Sequence, residues 1–211
     1  MNKKTQLVLA SLATTLLVAG CASGPSFVEL NALTDKIIKA SIRDQSHVKV
    51  ERITATDETN RVCSEADVAG KPLDEKTAKR IEEANLKAIK WPSDGKFIGD
   101  WKQGEAIAQS GRGLTWTDSA TGVNGGNCYN CHQISMAEIS HGTLGPSLHG
   151  YAKLKGTDER ALREAWAKIW NSKSSNACSN MPRAGHMGIL KEKDIQDLMA
   201  LLFSPDSPVN K

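Results

Sequence analysis

Apolar side chains recur at helical spacing in five stretches of the chain. Residues 27–42 place Leu30, Leu33, Ile37 and Ile38 on one face, which predicts a helix. Residues 74–90 do the same with Ile81, Ala84, Ala88 and Ile89. Asp74 and Glu75 supply negative charge at the positive end of that helix dipole, and Pro92 lies just past its far end. Over 97–109, Asp100 is placed to cap a helix whose face carries Trp101, Gly104, Ile107 and Ala108. Residues 158–171 turn Leu162, Trp166, Ile169 and Trp170 inward, and residues 191–203 carry Ile195, Leu198, Met199, Leu201, Leu202 and Phe203 before Ser204-Pro205 ends the run. Residues 48–56 alternate instead, predicting a short strand or an extended segment. Gly104 inside a helix costs about 1 kcal/mol against alanine. Close approach of another helix would explain it, and the dense apolar helix at 191–203 is the candidate partner. Residues 110–127 break every period with five glycines among Ser and Thr, so they read as a loop. The sum is an all-α fold.

The first twenty residues obey a different pattern. Lys3 and Lys4 precede an apolar run from Leu7 to Val18, too short to span a bilayer. The run ends in Leu17-Val18-Ala19-Gly20-Cys21, which resembles a bacterial lipobox. On that reading Cys21 becomes the acylated first residue and tethers the chain to a membrane in the periplasm. The alternative is an ordinary leader cut at Gly20 or Ala22. Loss of the leader takes the formal net charge from +3 to +1, which gives no basis for nucleic-acid binding. The expected organisation is a leader over 1–20, a partly helical extension over 21–95, a main domain over 96–205 and a tail over 206–211.

The loop at 110–127 delivers the candidate chemistry. Cys128-Tyr129-Asn130-Cys131-His132 reads C-x-x-C-H, the attachment signature of c-type haem. Two thiols at this spacing can form thioethers with the two haem vinyl groups, and His132 is placed to ligate the iron. A zinc site would need two further ligands at short spacing, and a thioredoxin-like pair would need a βαβ setting; neither is evident. Cys63 and Cys178 remain, an even pair for an exported chain, and a disulfide between them is expected. Two buried thiols, or Cys178 on the iron, are the alternatives. Helices at 97–109 and 191–203 flanking such a motif resemble the class I cytochromes c. Gly145-Pro146-Ser147-Leu148-His149-Gly150 resembles the loop that follows the haem motif in that class. The resemblance implies that the Pro146 carbonyl accepts the Nδ1–H of His132 and leaves Nε2 for iron. Arg112 and Trp116 are candidates to reach the haem propionates, or else a surface arginine and a packed indole.

A second axial ligand can come from several residues. Met136 would share a helical face with His132, His149 sits in the Pro146 turn, and Met199 falls inside the last helix. His141 is a further candidate. The stretch Asn180–Met187 remains, where Met181 stands at the distance from the final helix that class I cytochromes use; Met187 and His186 stay open beside it. Thioether ligation would raise the reduction potential, and a closed six-coordinate haem transfers electrons without binding substrate at iron.

Several further strings stand beside the haem motif, and Asn-Ala-Cys-Ser-Asn-Met-Pro is far more specific than it. The strings are Gly-Asp-Trp-Lys-Gln-Gly-Glu at 99–105, Gly-Thr-Leu-Gly-Pro-Ser-Leu at 142–148, Asn-Ala-Cys-Ser-Asn-Met-Pro-Arg at 176–183 and Ser-Pro-Val-Asn-Lys at 207–211. Together with the motif they resemble the SoxX family, the monohaem small subunits of the SoxAX cytochromes of bacterial sulfur oxidation. The resemblance covers about residues 60–211. It implies one haem c held by Cys128, Cys131, His132 and Met181. It also implies a larger haem subunit, SoxA, as heterodimer partner, the carrier SoxYZ as transient partner, and a soluble cytochrome c as electron acceptor. Such a complex is an L-cysteine S-thiosulfotransferase, and this chain would be its electron-accepting subunit with no bond-making residues of its own. A lipid on Cys21 and the long segment before residue 95 depart from the shortest members. A free-standing electron carrier and a haem-based sensor are the competing expectations.

Overall fold

The computed structural model describes residues 24–211, so Cys21 and the lipobox lie outside the described residues. The chain divides into two compact units, one up to Val50 and one from Glu51 to Lys211. The first contains α1 (Phe27–Ser41), opened by a capping box in which Ser26 and Glu29 satisfy each other's backbone N–H groups. Its apolar residues Leu30, Leu33 and Ile37 are exposed. Among the described residues no helix is long and apolar enough to cross a membrane.

The second unit is helical: α2 (Glu51–Thr54), α3 (Glu58–Val68), α4 (Glu75–Lys87), α5 (Trp101–Gln109), α6 (Tyr151–Lys155), α7 (Glu159–Trp170) and α8 (Glu192–Phe203). Aspartates cap four of these helices. Asp57, Asp74, Asp100 and Asp158 each accept a backbone N–H from the first turn of α3, α4, α5 and α7. No strand occurs among the described residues, only an isolated bridge between Gln45 and Val48. The extended segment expected at 48–56 is therefore corrected. Its second half winds into α2, closed by the Ala55 N–H on the Glu51 carbonyl.

The core forms where α5 crosses α8. Gly104 lies against the backbone of Asp197 and Leu198, and a Cβ there would overlap the Asp197 carbonyl. Asp197 is itself buried. Its carboxylate accepts the Asp100 N–H at 2.6 Å and pairs with Lys193 one turn earlier on α8. Ile107, Ala108, Ile195, Leu198, Met199 and Leu202 fill the crossing. In the same core, Trp166 and Trp170 of α7 stack at 6.1 Å.

Residues 51–95, expected within the extension, fold with the C-terminal domain. Ile89 joins the core. The Trp166 indole N–H donates to the Lys90 carbonyl at 2.9 Å, and Asn171 Nδ2 donates to Asn85 at 2.8 Å in a buried setting. α3 has no fully buried residue and no apolar stripe; Cys63 ties it to Cys178 by a disulfide.

Candidate haem site

The 3-10 turn Cys128–Asn130 shapes the attachment motif. It is entered through Asn127 in the left-handed region, φ 51°. The N–H groups of Gly126 and Asn127 hold it to the carbonyls of Ile107 and Ser110 at the end of α5, at 2.8 and 2.9 Å. The Cys131 N–H closes the turn on the Cys128 carbonyl at 3.1 Å, which keeps the two cysteines on one tight turn. Both are free thiols and half-buried, unlike the paired Cys63 and Cys178. Burial pushes the Cys128 thiol up to about 11.

His132 Nδ1 lies 2.7 Å from the Pro146 carbonyl oxygen. A carbonyl can only accept, so Nδ1 carries the proton and Nε2 keeps its lone pair for a metal. Gly145 backs the ring so closely that any Cβ would overlap it. The loop is laced to the motif by the Gly145 N–H on Cys131 at 2.8 Å, the Gly142 N–H on Tyr129 at 2.9 Å and the Leu148 N–H on Gln133 at 2.8 Å.

The second candidate ligand sits in the segment between α7 and α8. Met181 is half-buried; its carbonyl accepts from Ser172 Oγ at 2.6 Å and its N–H donates to Ser179 Oγ at 3.2 Å. The same segment meets the haem-motif loop further along. Asn124 Nδ2 donates to the Ile189 carbonyl at 2.7 Å, and Leu190 lies against Gly126. Met187 is 57% exposed, and His186 is exposed with its imidazole held below its ordinary range by partial burial and by nearby Arg183. Met199 is fully buried in the core. His141 places Nδ1 3.1 Å from the Gly142 carbonyl, and His149 has a buried Nδ1. Met136 is 65% exposed in a turn, not on a helix after His132, which corrects the expected helical placement; Ile134 N–H is taken by the Glu138 carboxylate, which caps a tight turn there. Arg112 and Trp116 are exposed on the loop.

One feature of this segment left no trace in the sequence pattern. Arg183, two residues after Met181, is buried and pairs with Asp57 at 2.6 Å. Burial works to raise the Asp57 carboxyl, but the Asn60 N–H and Arg183 outweigh it and hold it below its usual range. Neither the N-cap role of Asp57 before α3 nor its partner far along the chain is marked in the sequence.

Two free thiols on one tight turn, an imidazole with Nε2 open and a backing glycine fit a covalent haem. Cys128 and Cys131 would hold the porphyrin and His132 would ligate iron. These features define a single-haem c-type cytochrome site on crossing terminal helices. A profile of the cytochrome c family, described as "Cytochrome c", matches residues 102–204. A relative from Aquifex aeolicus (strain VF5), described as an uncharacterized lipoprotein, is 37% identical over 161 residues, which is 75% of each chain. Residues 102–204 of the chain form a cytochrome c family domain. It carries covalently bound haem c, and its chemistry is haem-based electron transfer.

Proposed function

We propose that this cytochrome is the electron-accepting subunit of a thiosulfate-conjugating complex of the SoxAX kind, working outside the cytoplasm. The observation that carries the reading is the segment Asn176–Arg183. It holds the string most specific to the SoxX family, and in the structure it is tied down at both ends, by the Cys178 disulfide and by Arg183. In the reaction proposed for the whole complex, a carrier-protein cysteine and thiosulfate form one S–S bond. The thiol proton leaves and two electrons are released. Bond formation belongs to the partner's site, on the larger SoxA subunit, and the carrier is SoxYZ. Haem bound at Cys128 and Cys131 supplies a one-electron Fe(III)/Fe(II) couple. This chain therefore takes the two electrons in successive steps and hands each to a soluble cytochrome c. His132, oriented by Pro146, and Met181 are the proposed axial pair. The lipobox at Cys21, together with a relative described as a lipoprotein, supports a lipid tether at the membrane surface.

The test is reduction by thiosulfate, followed in the visible spectrum. The holoprotein is assayed alone, then with a haem-containing partner subunit, then with the cysteine carrier added. Reduction only in the complete mixture is the expected result. No reduction in any mixture, with rapid electron exchange to a terminal oxidase through a soluble cytochrome, identifies a free-standing electron carrier instead.

A further inference from the structure

We infer that Asp57 and Cys63, both outside the matched cytochrome c region, are positioning residues that clamp the segment bearing Met181. The inference rests on the reading of Met181 as an axial ligand. Met181 lies in a stretch with little regular structure beyond the 3-10 turn Ser172–Ser174. Such a stretch opens more easily than a packed helix, and a ligand borne on it would leave the iron whenever it opened. Here both flanks are fixed. Cys178, three residues before Met181, is joined to Cys63. Arg183, two residues after it, pairs with Asp57 at 2.6 Å and is only 7% exposed.

The two anchor points lie close together. Asp57 is the N-cap of α3, and Cys63 is six residues on, about 9 Å along the helix axis. An arc of chain held at both ends to one short rigid rod has few ways to move the residue between them. Further bonds brace the rod and the approach to the arc. The Ala177 N–H donates to the Glu82 carboxylate of α4 at 3.1 Å, Arg80 of α4 pairs with Glu58 of α3 at 2.9 Å, and Asn171 bonds Asn85. Cutting the pair at Asp57 also leaves a buried guanidinium without its counter-charge, which drives Arg183 toward water and pulls the arc with it. The segment 51–95 thus contributes to iron ligation although it contains no ligand.

The experiment uses full-length ferric holoprotein and four variants: Met181→Ala, Asp57→Asn, Asp57→Glu and Cys63→Ser/Cys178→Ser. It reads the methionine-to-iron charge-transfer band, the midpoint potential and the rate of imidazole binding to iron. Met181→Ala is expected to abolish the band. Asp57→Asn and the double serine variant are expected to keep covalent haem and helical content but to bind imidazole about tenfold faster, because binding follows the open population. Asp57→Glu should restore the wild-type rate. If Met181→Ala keeps the band, the axial assignment fails and the inference with it. If Met181→Ala loses the band while Asp57→Asn and the double serine variant bind imidazole at the wild-type rate, the assignment stands and the clamp is overturned. Asp57→Asn leaves the disulfide intact, so it decides the matter even if the serine variant does not fold.

Discussion

At the scale of single residues, the site was most legible where its parts are close in sequence. The contact between His132 and the Pro146 carbonyl is the one implied by the resemblance to class I cytochromes c, carried by a motif and a turn fourteen residues apart. The Asp57–Arg183 pair was not readable, because charge pairing across the length of a chain leaves no local period. Asp118 is a second case. Its carboxylate accepts the N–H groups of Gly113 and Thr115 and the Thr115 hydroxyl, closing the loop that leads to the haem motif. These bonds, led by the Thr115 backbone, lower its carboxyl to about 2. The folded value lies below the unfolded one, so the contribution of Asp118 is complete above the unfolded value and fades as pH falls from about 4 toward 2. An NMR titration of the Asp118 carboxyl should show the low midpoint, and Asp118→Asn should flatten acid sensitivity in the 113–118 loop.

At the scale of elements, four helices were anticipated by period in the main unit: α4, α5, α7 and α8, with a cap read only for α5. α3 was not, for a physical reason. It buries nothing completely, so it has no apolar stripe to detect; a disulfide and polar bonds hold it instead. The α5–α8 crossing was inferred from a single awkward residue, and the structure explains the awkwardness, since Gly104 meets the Asp197 backbone directly. Gly104→Ala gains helix propensity but must push the helices apart. Backbone cannot swing aside as a side chain can, so overpacking wins, at a net cost of about 2 kcal/mol. Thermal unfolding of the holoprotein should register this as a melting temperature roughly 4–8 °C lower.

At the scale of the whole molecule, the bond between Cys63 and Cys178 closes a loop across a sequence separation of 115 residues. Chain-entropy arguments assign such a link about 4–5 kcal/mol. Urea unfolding of the Cys63→Ser/Cys178→Ser holoprotein should show a loss of that order, with the midpoint displaced to lower denaturant. The two thiols of the haem motif lie between these partners, and each is nearer to Cys63 in sequence than Cys178 is. Four cysteines can pair in three ways, and shorter loops close at lower entropic cost. Maturation therefore has to sort them. The inner pair must stay reduced until it is alkylated by the vinyl groups, while the outer pair must be oxidised across it. A cell that makes this protein needs an oxidant and a reductant acting on one polypeptide, and premature oxidation would yield a chain with its thiols locked in the wrong partners and no place for its pigment.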